Sequence, residues 1–310
     1  MNWRKWLIIS LVAVSLILVG VMVISPIAQR DYGVARLDAE RIVIINLYGT
    51  IQETDGGLFG GGITPRHVNY QLNRAKEDRL VRGVVLRIES PGGTIAASQE
   101  IAAMVKKFEK PLVVSMGDMA ASGGYYISAP AQGIVAQPGT MTGSIGVIST
   151  LMDLEGLYEM LGIKVEVFKS GEHKDMFSRP LTEKERAIMQ AISDEAYEQF
   201  IRDVAAGRGM AIETVRELAT GQIYLGSQAL ELGLVDRLGG IDEAISYLAE
   251  LNNFQNPVRY EYPQPSLFTQ LFDMGYYAVR ALSKAAAGSE LMMLEKLMEG
   301  ITPDIRYQVR

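Results

Sequence analysis

The sequence predicts an α/β fold built around a largely parallel sheet, preceded by one membrane-spanning segment. Short apolar runs typical of buried strands alternate with amphipathic runs of helical period between residues 41 and 251, and this alternation is typical of a parallel α/β core. Hydrophobic residues make up 48% of the 310 residues, which is ample for a sizeable core. A separate apolar run covers residues 6–27, before the first of these elements.

The run at 6–27 is long enough to cross a bilayer. It holds 22 residues without a charge, and as a helix it would span about 33 Å. A cleaved signal peptide is the alternative, but the run is longer than a usual signal core and no clean Ala-x-Ala site follows it. We therefore expect an uncleaved anchor over 1–30. Its orientation is not fixed by charge, because basic residues flank both ends: Arg4, Lys5, Arg30, Arg36 and Arg41.

The pattern then defines the elements of the main domain, after a linker over 31–40. Buried or alternating apolar runs predict strands at 41–48, 83–88, 111–115, 133–136, 145–148, 163–168 and 222–224. Helical periodicity predicts helices over 66–79, 94–108, 121–129, 151–161, 211–219, 227–232 and 241–251. A further long helix opens at Thr182, where Thr182 and Glu185 form a capping-box pattern, and carries apolar residues at 188, 192, 196, 200 and 204.

Two segments differ in composition from this core. The glycine-rich stretch 56–62 is either a flexible loop at the rim of a site or a long connection, and no Gly-Lys-Ser/Thr follows it as in a phosphate loop. From Pro263 onward two amphipathic helices are predicted, at 266–284 and 289–299. The predicted domains are thus an anchor over 1–30, a catalytic domain over 31–262 and a helical extension over 263–310, which packs on the core or on another subunit.

Composition narrows the function classes. A formal net charge of −6 argues against nucleic acid as a partner. The absence of cysteine excludes thiol catalysis, disulfides and cysteine metal sites. With only His67 and His173 available, we expect no multi-histidine metal site and no cofactor.

Three segments carry side chains suited to nucleophilic chemistry: 86–93 (LRIESPGG), 116–126 (MGDMAASGGYY) and 169–175 (KSGEHKD). Ser122 lies in the small-residue turn, which lets a substrate backbone approach closely. A serine hydroxyl needs a base to take its proton, and Lys174 is the candidate. A lysine serves as a base only when neutral, a form that burial favours. Taken singly, Ala-Ser-Gly-Gly is more typical of a helix start, Pro-Gly-Gly of a turn, and a lysine in a charged loop of a solvated side chain. A pairing of Asp175 with Lys174 would favour the ammonium instead.

Backbone donors for an oxyanion are also present in the pattern. A helix that begins at Ser122 leaves free N–H groups at its first residues, among them that of Gly123. The Ser-Pro-Gly-Gly turn offers the N–H of Gly93 as a second donor. Ser144, within 142–146 (TGSIG), is a candidate for orienting the lysine amine.

Taken in order, five segments resemble the signal peptide peptidase A (SppA) family of serine peptidases. They are 90–93 (SPGG), 116–127 (MGDMAASGGYYI), 142–147 (TGSIGV), 169–174 (KSGEHK) and 233–236 (GLVD), and the resemblance covers roughly residues 41–250. It implies that Ser122 is the nucleophile, that Lys174 is the base contacted by Ser144, and that Gly93 is an oxyanion donor.

The resemblance also implies an architecture and a setting. The expected fold is similar to that of Clp protease and crotonase, with repeated ββα units that assemble into homo-oligomeric rings, and this chain resembles the short, single-copy form. Such peptidases are bound to the cell membrane with the catalytic domain on the extracytoplasmic side. They degrade signal peptides left in the membrane after preprotein processing.

Three other hypotheses stay open from the sequence. A peptidase of the same fold could instead cleave a membrane-organising partner protein. A crotonase-like acyl-CoA enzyme or a ring scaffold without peptidase activity is the second, and the presence of both Ser122 and Lys174 argues against it. The third is a Ser-His pair that uses His173.

Overall fold

The structure is a computed structural model that describes residues 40–54 and 61–262. The predicted anchor over 1–30, most of the glycine-rich stretch and the extension over 263–310 therefore lie outside the described residues. In the part of the chain that is described, no helix is both long and apolar enough to cross a membrane. Contact clustering divides the chain into two units, Met1–Tyr260 and Glu261–Arg310, and the elements below belong almost entirely to the first.

A mixed α/β architecture is confirmed. Eight strands form one sheet: β1 (Glu40–Tyr48), β2 (Val81–Ser90), β3 (Leu112–Ala121), β4 (Gly133–Ala136), β5 (Met141–Gly143), β6 (Ile223–Leu225), β7 (Arg237–Leu238) and β8 (Pro257–Glu261). The helices are α1 (Pro65–Glu77), α2 (Ile95–Lys107), α3 (Gly123–Ser128), α4 (Glu155–Met160), α5 (Glu183–Arg208), α6 (Ile212–Leu218), α7 (Gly226–Glu231) and α8 (Ile241–Asn252).

The sheet is largely parallel and follows the order β6-β5-β3-β2-β1-β8. Strands β1, β2 and β3 pair in parallel, β3 pairs in parallel with both β4 and β5, β4 pairs in parallel with β7, and β6 pairs antiparallel with β5. The central strands are continuous apolar runs because layers of helix leave little of their two faces to water. One such layer is α8, whose Ala244 and Leu248 pack in a buried cluster with Ile42, Ile44, Val85, Val113 and Val135.

Strand β3 changes partner along its length, and this directs its end toward the site. Its residues 113–115 pair with β4, whereas 119–121 pair with β5. Between these two parts the register with β2 shifts, from Ile88 opposite Met116 to Ser90 opposite Ala120. The Glu89 carboxylate accepts hydrogen bonds from the N–H groups of the bulged residues 118 and 119, at 2.6 and 3.2 Å. A bulge of this kind re-aims the strand that follows it.

The predicted capping box is present at the start of α5. The Thr182 hydroxyl accepts from the Glu185 N–H at 3.3 Å, and the Glu185 carboxylate accepts from the Thr182 N–H at 2.9 Å. The apolar stripe, however, is buried only in the second half of the helix, at Phe200 and Val204. Ile192 is 54% exposed, so the first half of α5 extends away from the core of the described chain.

Two predicted strands were wrong. The run 145–148 is not a strand, because Ser144 adopts a positive φ of 49° and ends β5 before it. The run 163–168 has no regular secondary structure and lies in no sheet, and its alternating Ile163, Val165 and Val167 remain about half exposed. Alternation predicts a tendency to form a strand, but a strand also needs a neighbour for its backbone groups, and the described part of the chain supplies none.

Candidate active site

Ser122 lies at the junction between β3 and α3, in a strained backbone conformation. Its φ of 51° and ψ of −119° are unusual for a residue with a side chain, and such conformations cost about 1–3 kcal/mol. Hydrogen bonds on both sides hold it: its N–H donates to the Gly143 carbonyl at 2.8 Å, and its carbonyl accepts from the Tyr126 N–H at 2.9 Å. The turn thus presents a half-buried serine side chain to a cleft.

The N–H of Gly93 faces the same point. Residues 92–94 form a parallel bridge with Ile51, in which the Ile51 N–H donates to Gly92 and the Ile51 carbonyl accepts from Thr94, both at 2.9 Å. This pattern turns the Gly93 N–H away from Ile51. An ideal Cβ placed on Gly123 would lie 3.1 Å from the Gly93 nitrogen, so the two peptide groups adjoin. Neither the Gly93 N–H nor the Gly123 N–H has an acceptor among the described residues.

Only glycine fits at positions 92 and 93, the two glycines of the Pro-Gly-Gly turn. A Cβ on Gly93 would lie 1.9 Å from the Ile51 carbonyl oxygen. Gly92 has a φ of 105°, and a Cβ there would lie 2.8 Å from the Gly123 nitrogen and 2.9 Å from the Ser122 Cβ. A side chain at either position would push the two N–H groups and the serine apart. The Pro-Gly-Gly sequence is therefore what permits the close approach of this turn to α3.

Ser144 reaches the cleft from the neighbouring strand. Because β5 runs parallel to β3 with Gly143 opposite Ala121, the residues that follow the two strands meet at the same edge of the sheet. Ser144 also has a positive φ of 49°, and its N–H donates to the Gln222 carbonyl at 2.8 Å. The structure thus places Ser122, Gly93, Gly123 and Ser144 around one cleft, as the sequence predicts.

The cleft has a volume of about 590 Å³ and mixed walls, in which apolar side chains lie beside serine hydroxyls and backbone groups. The Tyr126 and Phe200 rings lie 4.8 Å apart by their centroids and line one side. The Tyr126 hydroxyl donates to the Asp203 carboxylate, and burial together with this bond raises the pKa of Tyr126, so the phenol stays protonated. Further apolar lining comes from Ile95, Val147 and Ile148. These walls suit an apolar side chain of a peptide.

Lys174 does not line this cleft. It lies exposed on a turn between the run 163–168 and α5. In the described part of the chain, its amine makes no hydrogen bond or ion pair. The structure therefore brings the candidate nucleophile and the backbone N–H groups together in one chain, whereas the predicted contact between Lys174 and Ser122 stays a prediction.

The carboxylates beside Lys174 are bound by other cations. Asp175 accepts from Lys169 at 2.8 Å and from two nitrogens of Arg179 at 3.0 Å. These hydrogen bonds lower the pKa of Asp175 to about 2, and those from Arg179 contribute more than the one from Lys169. Arg179 also binds Glu185 through two nitrogens, each at 2.9 Å, and lowers the pKa of that carboxyl well below its usual range. Among the described residues, Asp175 therefore pairs with Lys169 and Arg179 and not with Lys174.

Several side chains at the cleft and on the lysine turn carry no signal of a role in the sequence. Ser98 is buried beneath the turn, donates to the Thr94 carbonyl at 2.9 Å and lines the cleft. In the sequence it is one small residue on an ordinary helix face, and nothing marks it. Phe200 was recognised only as a member of an apolar stripe. Arg179 carries no signal either, because its two partners depend on how the turn folds back on α5.

Comparison with known proteins gives consistent matches. The model of the family described as Peptidase family S49 matches residues 104–255. A protein of Enterococcus faecium named as a signal peptide peptidase SppA is 36% identical over 294 residues, which cover 84% of this chain and 85% of that protein. Protease 4 of Haemophilus influenzae is 37% identical over 220 residues, covering 69% of this chain but only 35% of that protein. A solved structure of a membrane-bound stomatin-specific protease has a TM-score of 0.49 at 15% identity, covering 74% of this chain and all of that one.

The ion pairs of Asp175 predict a defined dependence of stability on pH. Because the folded pKa of about 2 lies below the ordinary value of 3.8, the stabilisation is complete above the ordinary value and is lost as the pH falls through the folded one. We expect the urea midpoint of Asp175→Asn to lie below that of wild type at pH 6, and the difference to shrink between about pH 4 and pH 2.

Glu231→Gln, which changes an exposed carboxylate at the end of α7, is the matched control. A gap between wild type and Asp175→Asn that stays constant from pH 6 to pH 2 would show that the Asp175 charge does not stabilise the turn.

Proposed function

This chain belongs to peptidase family S49, within its SppA group of serine endopeptidases, and on that premise we propose that Ser122 is its nucleophile and Lys174 its general base. We propose further that it is anchored in the cell membrane by a single N-terminal span, with its catalytic domain on the extracytoplasmic side, where it degrades cleaved signal peptides. The observation that carries the catalytic part is the strained Ser122, which lies beside the N–H groups of Gly93 and Gly123, neither of which has an acceptor among the described residues.

The geometry supports acyl transfer to serine. In this mechanism the neutral Lys174 amine takes the hydroxyl proton as the Ser122 oxygen attacks the peptide carbonyl. The carbonyl oxygen becomes an oxyanion, and the Gly93 and Gly123 N–H groups hold it. Collapse expels the leaving amine, which receives the proton from Lys174. Water, deprotonated in turn by Lys174, then releases the acyl group and restores the serine.

Lys174 does not line the cleft in this structure, so the mechanism requires the segment 148–174 to shift toward it. Most side chains of this segment are exposed, so few buried contacts fix it against the core. Segments with few buried contacts have low local stability and shift readily when a ligand or a second chain packs on them. Ser144 lines the cleft just before this segment begins. There its hydroxyl can accept a hydrogen bond from the arriving amine and orient it.

His173 is a poorer candidate for the base. Its Nδ1 lies 3.0 Å from the buried Glu185 carboxylate, and its Nε2 lies 3.7 Å from Glu172. Both ring nitrogens therefore face carboxylates of the turn, and the ring does not line the cleft. A base needs a free lone pair within reach of the serine hydroxyl. The alternative Ser-His pair thus has less support than the Ser-Lys pair.

We propose that a second copy of the chain covers the exposed apolar residues of the segment 148–168. Phe168 is 93% exposed and Met160 is 82% exposed, which is unusual for side chains of this size. The backbone groups of 164–168 make no hydrogen bond within the described part of the chain. The same segment of a second chain would supply both the missing strand pairing and the apolar cover. Self-association, with a ring as its closed form, would also bring the segment to its working position.

The proposed substrate follows from the match and from the cleft. The Enterococcus faecium relative, of which the chain covers 85%, is named for signal peptide cleavage. The apolar walls formed by Tyr126, Val147 and Phe200 suit the apolar core of such peptides. The uncharged run 6–27 would hold the peptidase at the bilayer, where these remnants stay.

Mutation of the pair tests the chemistry. We expect Lys174→Ala to lower the kcat for a fluorogenic peptide by at least about 10²–10⁴-fold, because the serine loses its general base, and Ser122→Ala to abolish turnover. His173→Ala, one residue away, is the matched control and should retain much of the rate. Turnover of Lys174→Ala at the wild-type rate, with unchanged thermal unfolding, would exclude lysine as the base.

Self-association can be measured by light scattering of the full chain in detergent. We expect Phe168→Ser to weaken association by about 30-fold, equivalent to about 2 kcal/mol, as removal of a central aromatic contact does. Leu80→Ser, at an exposed leucine before β2, is the control and should leave the assembly unchanged. A wild-type chain that stays monomeric at micromolar concentration, or a Phe168→Ser variant that assembles like wild type, would rule out this interface.

The substrate proposal is tested with the full chain reconstituted in lipid vesicles. We expect rapid cleavage of a synthetic signal peptide embedded in the same bilayer, and loss of that cleavage in Ser122→Ala. A soluble peptide of equal length and polar composition is the control. If the embedded signal peptide persists while an intact membrane protein is cut, the substrate is a partner protein instead.

A further inference from the structure

One guanidinium group binds two carboxylates beside the proposed base. The Arg179 side chain makes a two-pronged pair with Asp175 and another with Glu185, and it also donates to the Pro180 carbonyl at 3.0 Å. Glu185 is buried, and the side chain of Asp175 is only 10% exposed. Planar forked pairs of this kind fix orientation as well as charge.

Glu185, one of the two carboxylates that Arg179 binds, connects the turn to the rigid helix α5. Glu185 lies in the first turn of α5 and is itself fixed by the Thr182 N–H and hydroxyl, at 2.9 and 3.0 Å. Arg179 therefore joins Asp175, the residue directly after Lys174, to the capped start of a 26-residue helix. Two further pairs join the turn to α5, between Glu172 and Lys184 at 3.1 Å and between His173 and Glu185 at 3.0 Å, but neither involves Asp175.

Asp175, the other carboxylate that Arg179 binds, is the acidic side chain next to the proposed base. A carboxylate within about 4–6 Å of an amine stabilises the ammonium, and shifts of 1–3 pH units are typical. Asp175 is the acidic group adjacent to Lys174 in sequence, and Arg179 and Lys169 occupy both of its oxygens. Glu172 is likewise held by Lys184 at 3.1 Å. The charged and titratable groups around the turn, on the loop and on α5, are Lys169, Glu172, His173, Asp175, Arg179, Lys184 and Glu185.

We propose that Arg179 is a positioning residue for Lys174: by binding Asp175 and Glu185 together, it fixes the lysine turn on α5 and keeps the Asp175 carboxylate away from the amine. The inference rests on the proposed function, since it matters only if Lys174 is the base. Arg179 acts through Asp175 and has no contact with substrate.

A pH–rate profile of Arg179→Gln tests the inference. Without the guanidinium, Asp175 is free to pair with Lys174, and the amine then needs a higher pH to become neutral. We expect the rising limb of kcat/KM to move up by about one pH unit, which is about a tenfold loss at neutral pH that is recovered at high pH.

The double variant Arg179→Gln with Asp175→Asn separates electrostatics from structure. It removes the freed carboxylate, so we expect the limb to return toward its wild-type position even though both forked pairs are now missing. Arg186→Gln is the matched control, because Arg186 lies exposed on the first turn of α5 against Glu183 at 3.8 Å. Its profile should coincide with that of wild type.

The outcomes distinguish the two proposals. If Lys174→Ala is inactive and Arg179→Gln has an unshifted limb, Lys174 remains the base and the role of Arg179 is wrong. A loss in Arg179→Gln that is equal at every pH, and that Asp175→Asn does not relieve, would also overturn the role and show only a structural brace. If Lys174→Ala is fully active, the dyad itself fails. A rising limb that shifts in Arg179→Gln and returns when Asp175→Asn is added supports both the dyad and the role of Arg179.

Discussion

Ser122 is held at a positive φ by hydrogen bonds from two different elements, β5 on one side and α3 on the other. Everything else at the cleft follows from that fixed turn. Because the chain reverses so sharply, α3 begins directly at the serine and leaves the Gly123 N–H without a partner in the described chain. The bridge between Ile51 and the Pro-Gly-Gly turn then brings the Gly93 N–H to the same point. A strained backbone of this kind persists only where the surrounding sheet over-determines it.

The two halves of the proposed machinery differ in how firmly they are held. The serine, the two donors and Ser144 stand at the ends of buried, parallel strands, so their geometry belongs to the core of the fold. Lys174 stands on a segment with few buried contacts and is tied to α5 chiefly through charged pairs. A pre-formed oxyanion site combined with a movable base would let assembly or substrate binding govern the onset of catalysis.

Those parts of the fold that bury continuous apolar runs could be predicted from the sequence. Strands β1 and β2 and helices α1, α2 and α8 lie close to their predicted bounds, because their patterns depend on burial within one chain. Strand β3 begins near its predicted start but continues to Ala121, well past the predicted end at Ser115. The run 163–168 has the right alternation, but a strand there needs a hydrogen-bonding neighbour that the described residues do not provide. The strand predicted at 145–148 is wrong, because the serine at positive φ before it gives no signal in the sequence.

The candidate site likewise has a part that could be predicted from the sequence and a part that could not. Four candidate residues could be selected because the segments that contain them are distinctive and occur in a characteristic order along the chain. All four line one cleft in the structure: Ser122, Gly93, Gly123 and Ser144. The partners of Asp175 could not be predicted, because they depend on side-chain directions within a folded turn and on an arginine four residues later. Lys174 remains a prediction, since the exposed turn that carries it is separate from the cleft in a single chain.

The most direct test is a crystal structure of the assembled full chain with a peptide aldehyde bound to the serine. The account predicts that the aldehyde oxygen lies about 3 Å from both the Gly93 and Gly123 nitrogens, and that the Lys174 amine lies within about 2.6–3.2 Å of the Ser122 oxygen. A bound aldehyde whose oxygen faces away from both glycines, or a Lys174 amine that still points to solvent beside an occupied cleft, would contradict it.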